Sequence, residues 1–371
     1  VYGEIKLSTH QLIKETLKLL KNKAKEFSVV VMPDFFLDRL INLKFSLKEF
    51  SKNLENVSKR KGGSINRIKQ TDIRGGNAVN TASALASLDV NVTPIVCTNT
   101  LGVQLMKFYF DSKKVNFSHI KVLDRISMTT CLEVQTEKGI VNIMLRDVGS
   151  LEKFGPQNLD REDFKVIEDA DYVCVFNWAG TRSFGTELAE TIFQFTKKRG
   201  KGKTYYDTAD PTPNKEKISE LVKGVLMKGY IDILSLNESE AICYASYISS
   251  EIETLRKKLS FEELAKESAK ILASRLSARV DLHTTSFSAT FTKKSEEIVP
   301  AIKVPVLRTT GAGDAWNAGN ILGDAYEMPD ECRLTLANAV AAFYISNSKG
   351  NHPTRKELIK FLERACFTEI I

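Results

Sequence analysis

Between Thr309 and Gly319 the chain reads Thr-Thr-Gly-Ala-Gly-Asp-Ala-Trp-Asn-Ala-Gly. It follows an extended apolar run (Ile302, Val304, Val306) and opens a segment with helical apolar spacing at Trp316, Ile321, Leu322 and Ala325. A Gly-Ala-Gly turn at a helix start leaves backbone N–H groups free with little side-chain bulk, and the helix dipole adds positive potential there. Asp314 then falls in the first helical turn, beside a site suited to phosphate. As an N-terminal carboxylate it stabilises the helix; beside a phosphate it can take a proton from an attacking hydroxyl. Phosphoryl transfer requires both parts, a cradle for charge and an oriented base.

Three other constellations carry chemistry. Arg74-Gly75-Gly76-Asn77-Ala78-Val79-Asn80 precedes a small-residue helix. Paired glycines permit close backbone approach to a ligand, and Asn77 and Asn80 offer donors and acceptors for hydroxyls; the same residues also read as a turn and helix cap. Asn237-Glu238-Ser239-Glu240 follows the strand ending at Leu236. It reads equally as a capping box and as a sparse magnesium motif, and the two readings are compatible. Asn177 ends a central strand, where an open α/β sheet places its ligand crevice.

Apolar runs at 28–32, 92–97, 171–176, 203–206, 231–236 and 279–284 alternate with helical patterns at 77–88, 101–112, 184–199, 238–247 and 262–277. The alternation predicts a mostly parallel central sheet flanked by helices. An amphipathic helix over 9–25 belongs to an N-terminal extension of about 1–27, and three helices (312–326, 331–347, 354–366) close the chain. Residues 34–71 read as polar and irregular, and 118–146 as a hairpin turning at Glu137-Lys138-Gly139. Together they predict a small β lid on one domain spanning 1–371.

These features resemble the ribokinase-like (PfkB) carbohydrate kinases, whose signature Asp-Thr-x-Gly-Ala-Gly-Asp this chain matches from Thr309 onward. Gly75, Gly76, Asn77 and Asn80 resemble the family's first signature, Gly-Gly-x-x-x-Asn, and Asn237-x-x-Glu240 its magnesium motif. The resemblance implies a ribokinase-like fold and ATP-dependent transfer of a γ-phosphoryl group to a hydroxymethyl of a sugar, with a nucleoside as the alternative acceptor. It implies Asp314 as base and Gly311, Ala312 and Gly313 as the anion hole. Asp38, Gly75, Gly76, Asn77, Asn80 and Asn177 would hold the acceptor. Thr285, Ser288, Thr310 and Asn338 would line the nucleotide, and Asn237 and Glu240 would organise Mg2+ through water. Two departures stand out. Arg308 occupies the position of the family's first Asp, and is expected either at the transferred phosphate or at a phosphate or carboxylate on the acceptor, or else pointing to solvent or paired with an acid such as Asp324. His283-Thr284-Thr285-Ser286-Phe287-Ser288 lacks the glycines of Thr-x-Gly-x-x-Gly. Both departures motivate a second function class, a kinase-derived binding protein with weak catalysis.

Composition excludes other classes. With 43% hydrophobic and 27% charged residues in 371, the chain is ordinary for a folded protein. No apolar run reaches the roughly 18–20 residues of a membrane span. No secretory leader is expected from the lysine-interrupted N-terminus. The net charge of +7 is dispersed, without basic–aromatic interleaving, so no nucleic-acid partner is expected. Six cysteines fall singly and four histidines are scattered, which predicts free thiols, no structural metal and a cytoplasmic setting. A homodimer through the lid is a further expectation. A nicotinamide dehydrogenase would require G-x-G-x-x-G after the first strand, and it is absent.

Overall fold

The computed structural model describes residues 8–22, 25–110, 114–136 and 139–367. Its centre is an eight-stranded sheet ordered Glu296–Pro300, Phe287–Phe291, Arg279–His283, Ile233–Leu236, Lys203–Asp207, Tyr172–Phe176, Ser28–Met32 and Asn91–Pro94. The six strands from Arg279–His283 to Asn91–Pro94 pair in parallel, and the two edge strands at the other side run antiparallel. Side chains alternate faces along each strand, so one strand feeds two cores. Val29 and Val31 pack with the helices Asn77–Ser87, Ala312–Ala325 and Asp330–Ser346. Val30 and Met32 pack on the other face with Gly185–Arg199, Glu238–Ile248 and Phe261–Arg275. All five residues of Tyr172–Phe176 are buried, as helices on both faces demand.

A second sheet of four strands is ordered Lys69–Gly75, Phe36–Ser46, Ser127–Thr136 and Gly139–Asp147. The expectation of irregular chain over 34–71 is corrected here. The segment carries the eleven-residue strand Phe36–Ser46, the helix Leu47–Lys59 and the start of a second strand, Lys69–Gly75. The helix is strongly amphipathic, with its apolar positions on one face, yet none of its residues is buried. The turn expected at Glu137–Lys138 lies outside the described residues. The part of 118–146 before Ser127 does not join this sheet, since Lys121–Val122 pairs instead with Cys97–Thr98.

The N-terminal helix Thr9–Asn22 buries Leu12, Thr16 and Leu20, one side chain per turn, and packs on the helices Asp330–Ser346 and Arg355–Leu362. Among the described residues no helix is long and apolar enough to cross a membrane.

Candidate active site

Gly311, in the left-handed region at φ 86°, caps the helix Ala312–Ala325 without any side-chain hydrogen bond. A Cβ there would lie 2.8 Å from the Tyr344 hydroxyl, so glycine is required by both conformation and space. The Ala312 amide turns back onto the Thr309 carbonyl at 3.1 Å. That corrects the expectation that all three loop amides are free: Ala312 closes the turn, and the amides with no acceptor among the described residues are those of Gly311, Gly313 and Asp314. One turn in, Asp314 is 5% exposed. Its Oδ1 accepts from Asn77 Nδ2 at 2.8 Å and its Oδ2 from Asn80 Nδ2 at 2.9 Å. Burial raises its pKa well above the ordinary carboxylate value; the Asn80 bond opposes this and the charge of Asp207 adds to it. The carboxylate is therefore a stronger base than a solvated aspartate.

Two cavities meet at this residue. The first, about 560 Å³, lies between the loop and the four-stranded sheet and is lined by Phe36, Asp38, Gly76, Asn77, Asn80, Arg146, Asn177, Arg308, Thr310 and Asp314, among others. Register sets Asp38 beside Thr129, and Thr129 beside Arg146, across three strands. Burial pushes the Asp38 carboxyl up to about 6, against the opposing Thr129 hydrogen bond and Arg146 charge. Gly75 is not in the wall; a side chain there would occupy the space of the Asp38 carboxylate.

Asp34 is a site residue that the sequence analysis did not single out. It is fully buried and accepts from the Asn77 amide at 2.8 Å, the Ala78 amide at 2.9 Å and Asn177 Nδ2 at 2.8 Å. It thereby caps the helix Asn77–Ser87, whose own cap residue Gly76 has no side chain to do so. The available signal was an acid directly after a strand, with a cap-less Gly-Gly helix start further on. Asn177 is consequently engaged on both sides of its amide, donating to Asp34 and accepting from the Gly180 amide at 3.0 Å.

The second cavity, about 620 Å³, has an apolar wall (Ile302, Val304, Ala342, Ile345) and an acidic end at Asp207, Asp210, Glu238 and Glu240. Asn237 and Glu240 line it as a closed capping box: Glu240 accepts from the Asn237 amide at 2.9 Å and from its Nδ2 at 2.8 Å. Burial, then the Asp207 charge, raises the Glu240 pKa well above normal, a situation a cation relieves. Among the described residues no cluster of three or more His, Cys, Asp or Glu forms a metal cage. The donor set fits a magnesium ion that keeps its waters and takes phosphate oxygens.

Thr285 lies in this cavity's wall, and so does Asn338, whose amide is spent on Pro300, Trp316 and Ser288. Two nucleotide-side expectations are corrected. Ser288 is 1% exposed inside the strand Phe287–Phe291, bonded to Trp316 and Asn338 and absent from the cavity wall. Thr310 faces the first cavity, because the chain crosses between cavities at Gly311: Arg308 and Thr310 line only the first, Ala312 and Gly313 only the second. Arg308 does not reach Asp324, which is bonded to Arg279, Lys203 and Tyr172. His283, not foreseen as a site residue, stacks tilted on Trp316 at 5.0 Å and abuts Gly313; burial keeps it neutral by lowering its pKa.

A family model described as pfkB family carbohydrate kinase matches residues 49–357. A ribokinase of Haemophilus influenzae is 24% identical over 295 residues, which are 78% of this chain and 88% of that protein. Two solved structures cover nearly the whole fold. A probable sugar kinase from Rhizobium etli superposes with TM-score 0.69 at 17% identity, covering 92% of this chain and 99% of its own. Arabidopsis thaliana ribokinase complexed with ribose and ATP superposes with TM-score 0.67 at 17% identity, covering 91% and 99%.

Proposed function

The chain belongs to the pfkB family of carbohydrate kinases, and from its two joined cavities we propose that it transfers the γ-phosphoryl group of ATP to a hydroxymethyl of a sugar acceptor. One observation carries this reading: Thr309, Gly311 and Asp314 are shared by both cavity walls. A nucleotide along the apolar wall and an acceptor under the four-stranded sheet would meet at the base and the open amides. The Arabidopsis ribokinase complex, with ribose and ATP on the same fold, supports that division.

In this mechanism Asp314, held by Asn77 and Asn80, orients the acceptor hydroxyl and takes its proton as the oxygen attacks. The raised pKa matches the base to a proton that leaves late. The amides of Gly311, Gly313 and Asp314 stabilise charge on the transferring group. Mg2+ held through water near Asn237 and Glu240 would neutralise charge on the nucleotide phosphates. Asp38 accepts from acceptor hydroxyls, while Asp34 and Gly76 position Asn77. The four-stranded sheet acts as a lid, excluding water that would compete as acceptor.

Val141, Ile143 and Leu145 point to the lid's outer side, opposite Asn142, Met144 and Arg146 in the cavity wall, and all three are exposed. A homodimer through this face would cover them, and Ile143→Lys should then yield monomer in size-exclusion light scattering. Six free cysteines fit a reducing, cytoplasmic setting.

The test is coupled ATP turnover across sugars, sugar acids, sugar phosphates and nucleosides. Turnover of a carbohydrate with loss of lid amide exchange on its addition supports the reading. Turnover confined to nucleosides assigns the alternative acceptor, and binding without turnover assigns a non-catalytic binding protein.

A further inference from the structure

Buried guanidinium groups elsewhere in this protein are matched to carboxylates. Arg333 pairs with Asp281 and Asp330, and Arg279 with Asp281 and Asp324. Such matching is the rule, because an unpaired buried charge is costly. Arg74 and Arg308, each half-buried, depart from that pattern. Both line the acceptor cavity and neither lines the nucleotide cavity. Neither makes an ion pair among the described residues, and the Nε of each is buried without a partner.

What holds them is neutral. Arg74 Nη2 meets His352 Nδ1 at 2.8 Å. Arginine only donates, so Nδ1 accepts and the proton sits on Nε2, leaving the imidazole uncharged. Burial, and then the two arginine charges, push the His352 pKa far down and reinforce that state. His352 stacks on Tyr344 at 4.6 Å, and the Arg308 guanidinium lies 5.8 Å over the other partner in that stack, the Tyr344 ring. Arg308 Nη2 donates to the Ser348 carbonyl at 3.0 Å, in the space Gly350 leaves open. Asp314, in the same cavity, is already bonded to Asn77 and Asn80. Two like charges are thus brought together at one end of the acceptor cavity; the Asp314 charge acts on Arg74, but among the described residues no carboxylate makes an ion pair with either guanidinium.

We propose that the acceptor carries an anionic group, a carboxylate or a phosphate, bound between Arg74 and Arg308. This rests on the kinase reading of the same site and narrows its substrate class to sugar acids or sugar phosphates. The guanidinium forks suit either oxyanion, with donors left over after the neutral contacts are made.

The experiment compares matched pairs on one carbon frame, gluconate against glucitol and fructose 6-phosphate against fructose, by turnover and by calorimetric binding. The anionic member of one pair should exceed its neutral partner at least tenfold in kcat/KM. Arg74→Gln and Arg308→Gln should each collapse that ratio through KM, and should weaken calorimetric binding of the same acid at least tenfold. Which pair responds separates carboxylate from phosphate. Arg74→Lys, which keeps the charge, and a thermal melt of each variant separate charge loss from misfolding. An equal fall in kcat for charged and neutral acceptors would assign Arg308 to the transferring phosphoryl group and overturn the proposal. Turnover of neutral acceptors alone, indifferent to both arginines, would overturn it and leave the kinase reading standing. Arginine-dependent binding of an acid that the wild-type protein never phosphorylates would uphold the anionic pocket and overturn the kinase reading instead.

Discussion

Two helices begin side by side at this site, and they begin alike. Asn77–Ser87 starts behind Gly76 at φ 92°, and Ala312–Ala325 behind Gly311 at φ 86°; neither cap residue supplies a side-chain bond. They differ in what meets their first amides. Asp34 reaches across from the first strand to accept from Asn77 and Ala78. Among the described residues no carboxylate covers the amides of Gly313 and Asp314 in the same way. One N-terminus is closed by the protein's own carboxylate and becomes scaffold; the other is left for an anion to complete. The closed helix then serves the open one, since its Asn77 and Asn80 hold Asp314.

If the open end is where chemistry happens, Asp314→Asn should keep the fold and lower kcat by roughly 10²–10⁴-fold, the range of a lost general base. Steady-state kinetics with an active acceptor decide it. Near wild-type turnover would reduce Asp314 to a second helix cap and erase the contrast between the two ends. Gly311→Ala should come next, with kcat down by up to about 10²-fold, because a Cβ forces the left-handed turn and its amides out of place. The same change at Gly76, where a Cβ would meet the Asp34 carbonyl at 2.9 Å, should act on stability first.

Asp34→Ala sharpens the comparison from the closed side. It strips the acceptor from two backbone amides and the Asn177 side chain, and each buried orphan costs about 1–3 kcal/mol. A loss of roughly 2–4 kcal/mol in urea unfolding is expected, with a smaller kinetic defect than Asp314→Asn. A variant as stable as wild type but as inactive as Asp314→Asn would make Asp34 a chemical participant rather than a cap.

Much of this was legible in the sequence, for a physical reason. Strands buried on both faces and helices with one apolar face write their periods plainly, so Tyr172–Phe176, Lys203–Asp207 and Gly185–Arg199 fall within a residue or so of expectation. The loop before Ala312 carries its chemistry in adjacent residues. The strand Phe36–Ser46 was lost because one of its faces lines a polar cavity, which places Asp38 among its inward residues. Its following helix was legible from both its amphipathic period and the Ser46–Glu49 capping box, and that signal was passed over among the surrounding polar residues. Asp34 was lost because its partners lie 43 to 143 residues away, and no local pattern encodes that meeting. Ser288 was misplaced because the resemblance carried it over from the position of a family glycine, whereas here its hydroxyl is bound by Trp316 and Asn338 inside a strand.

The smallest expected effect concerns an acid in the wall of the first cavity, Asp38, rather than either helix. Asp38 has its pKa raised from 3.8 to about 6, mainly by burial, so it changes charge in an accessible range. Only the ionised form accepts from two hydroxyls. In Asp314→Asn protein, where the base no longer titrates, binding of a sugar carboxylate should weaken as pH falls through about 6, by up to about tenfold per unit below it. The ligand's own carboxyl stays ionised over most of that range. Stability without ligand runs the other way. A carboxyl whose folded pKa exceeds its unfolded value adds stability that is full below the unfolded value and is lost as pH rises through about 6. Acidification should therefore raise the ligand-free melting temperature slightly while shrinking the ligand-induced shift, and Asp38→Asn should flatten both curves. Binding that stays level from about pH 7 to about pH 5 would take Asp38 out of contact with the acceptor. Recognition would then rest on Asn77, Asn80 and the arginine end of the cavity.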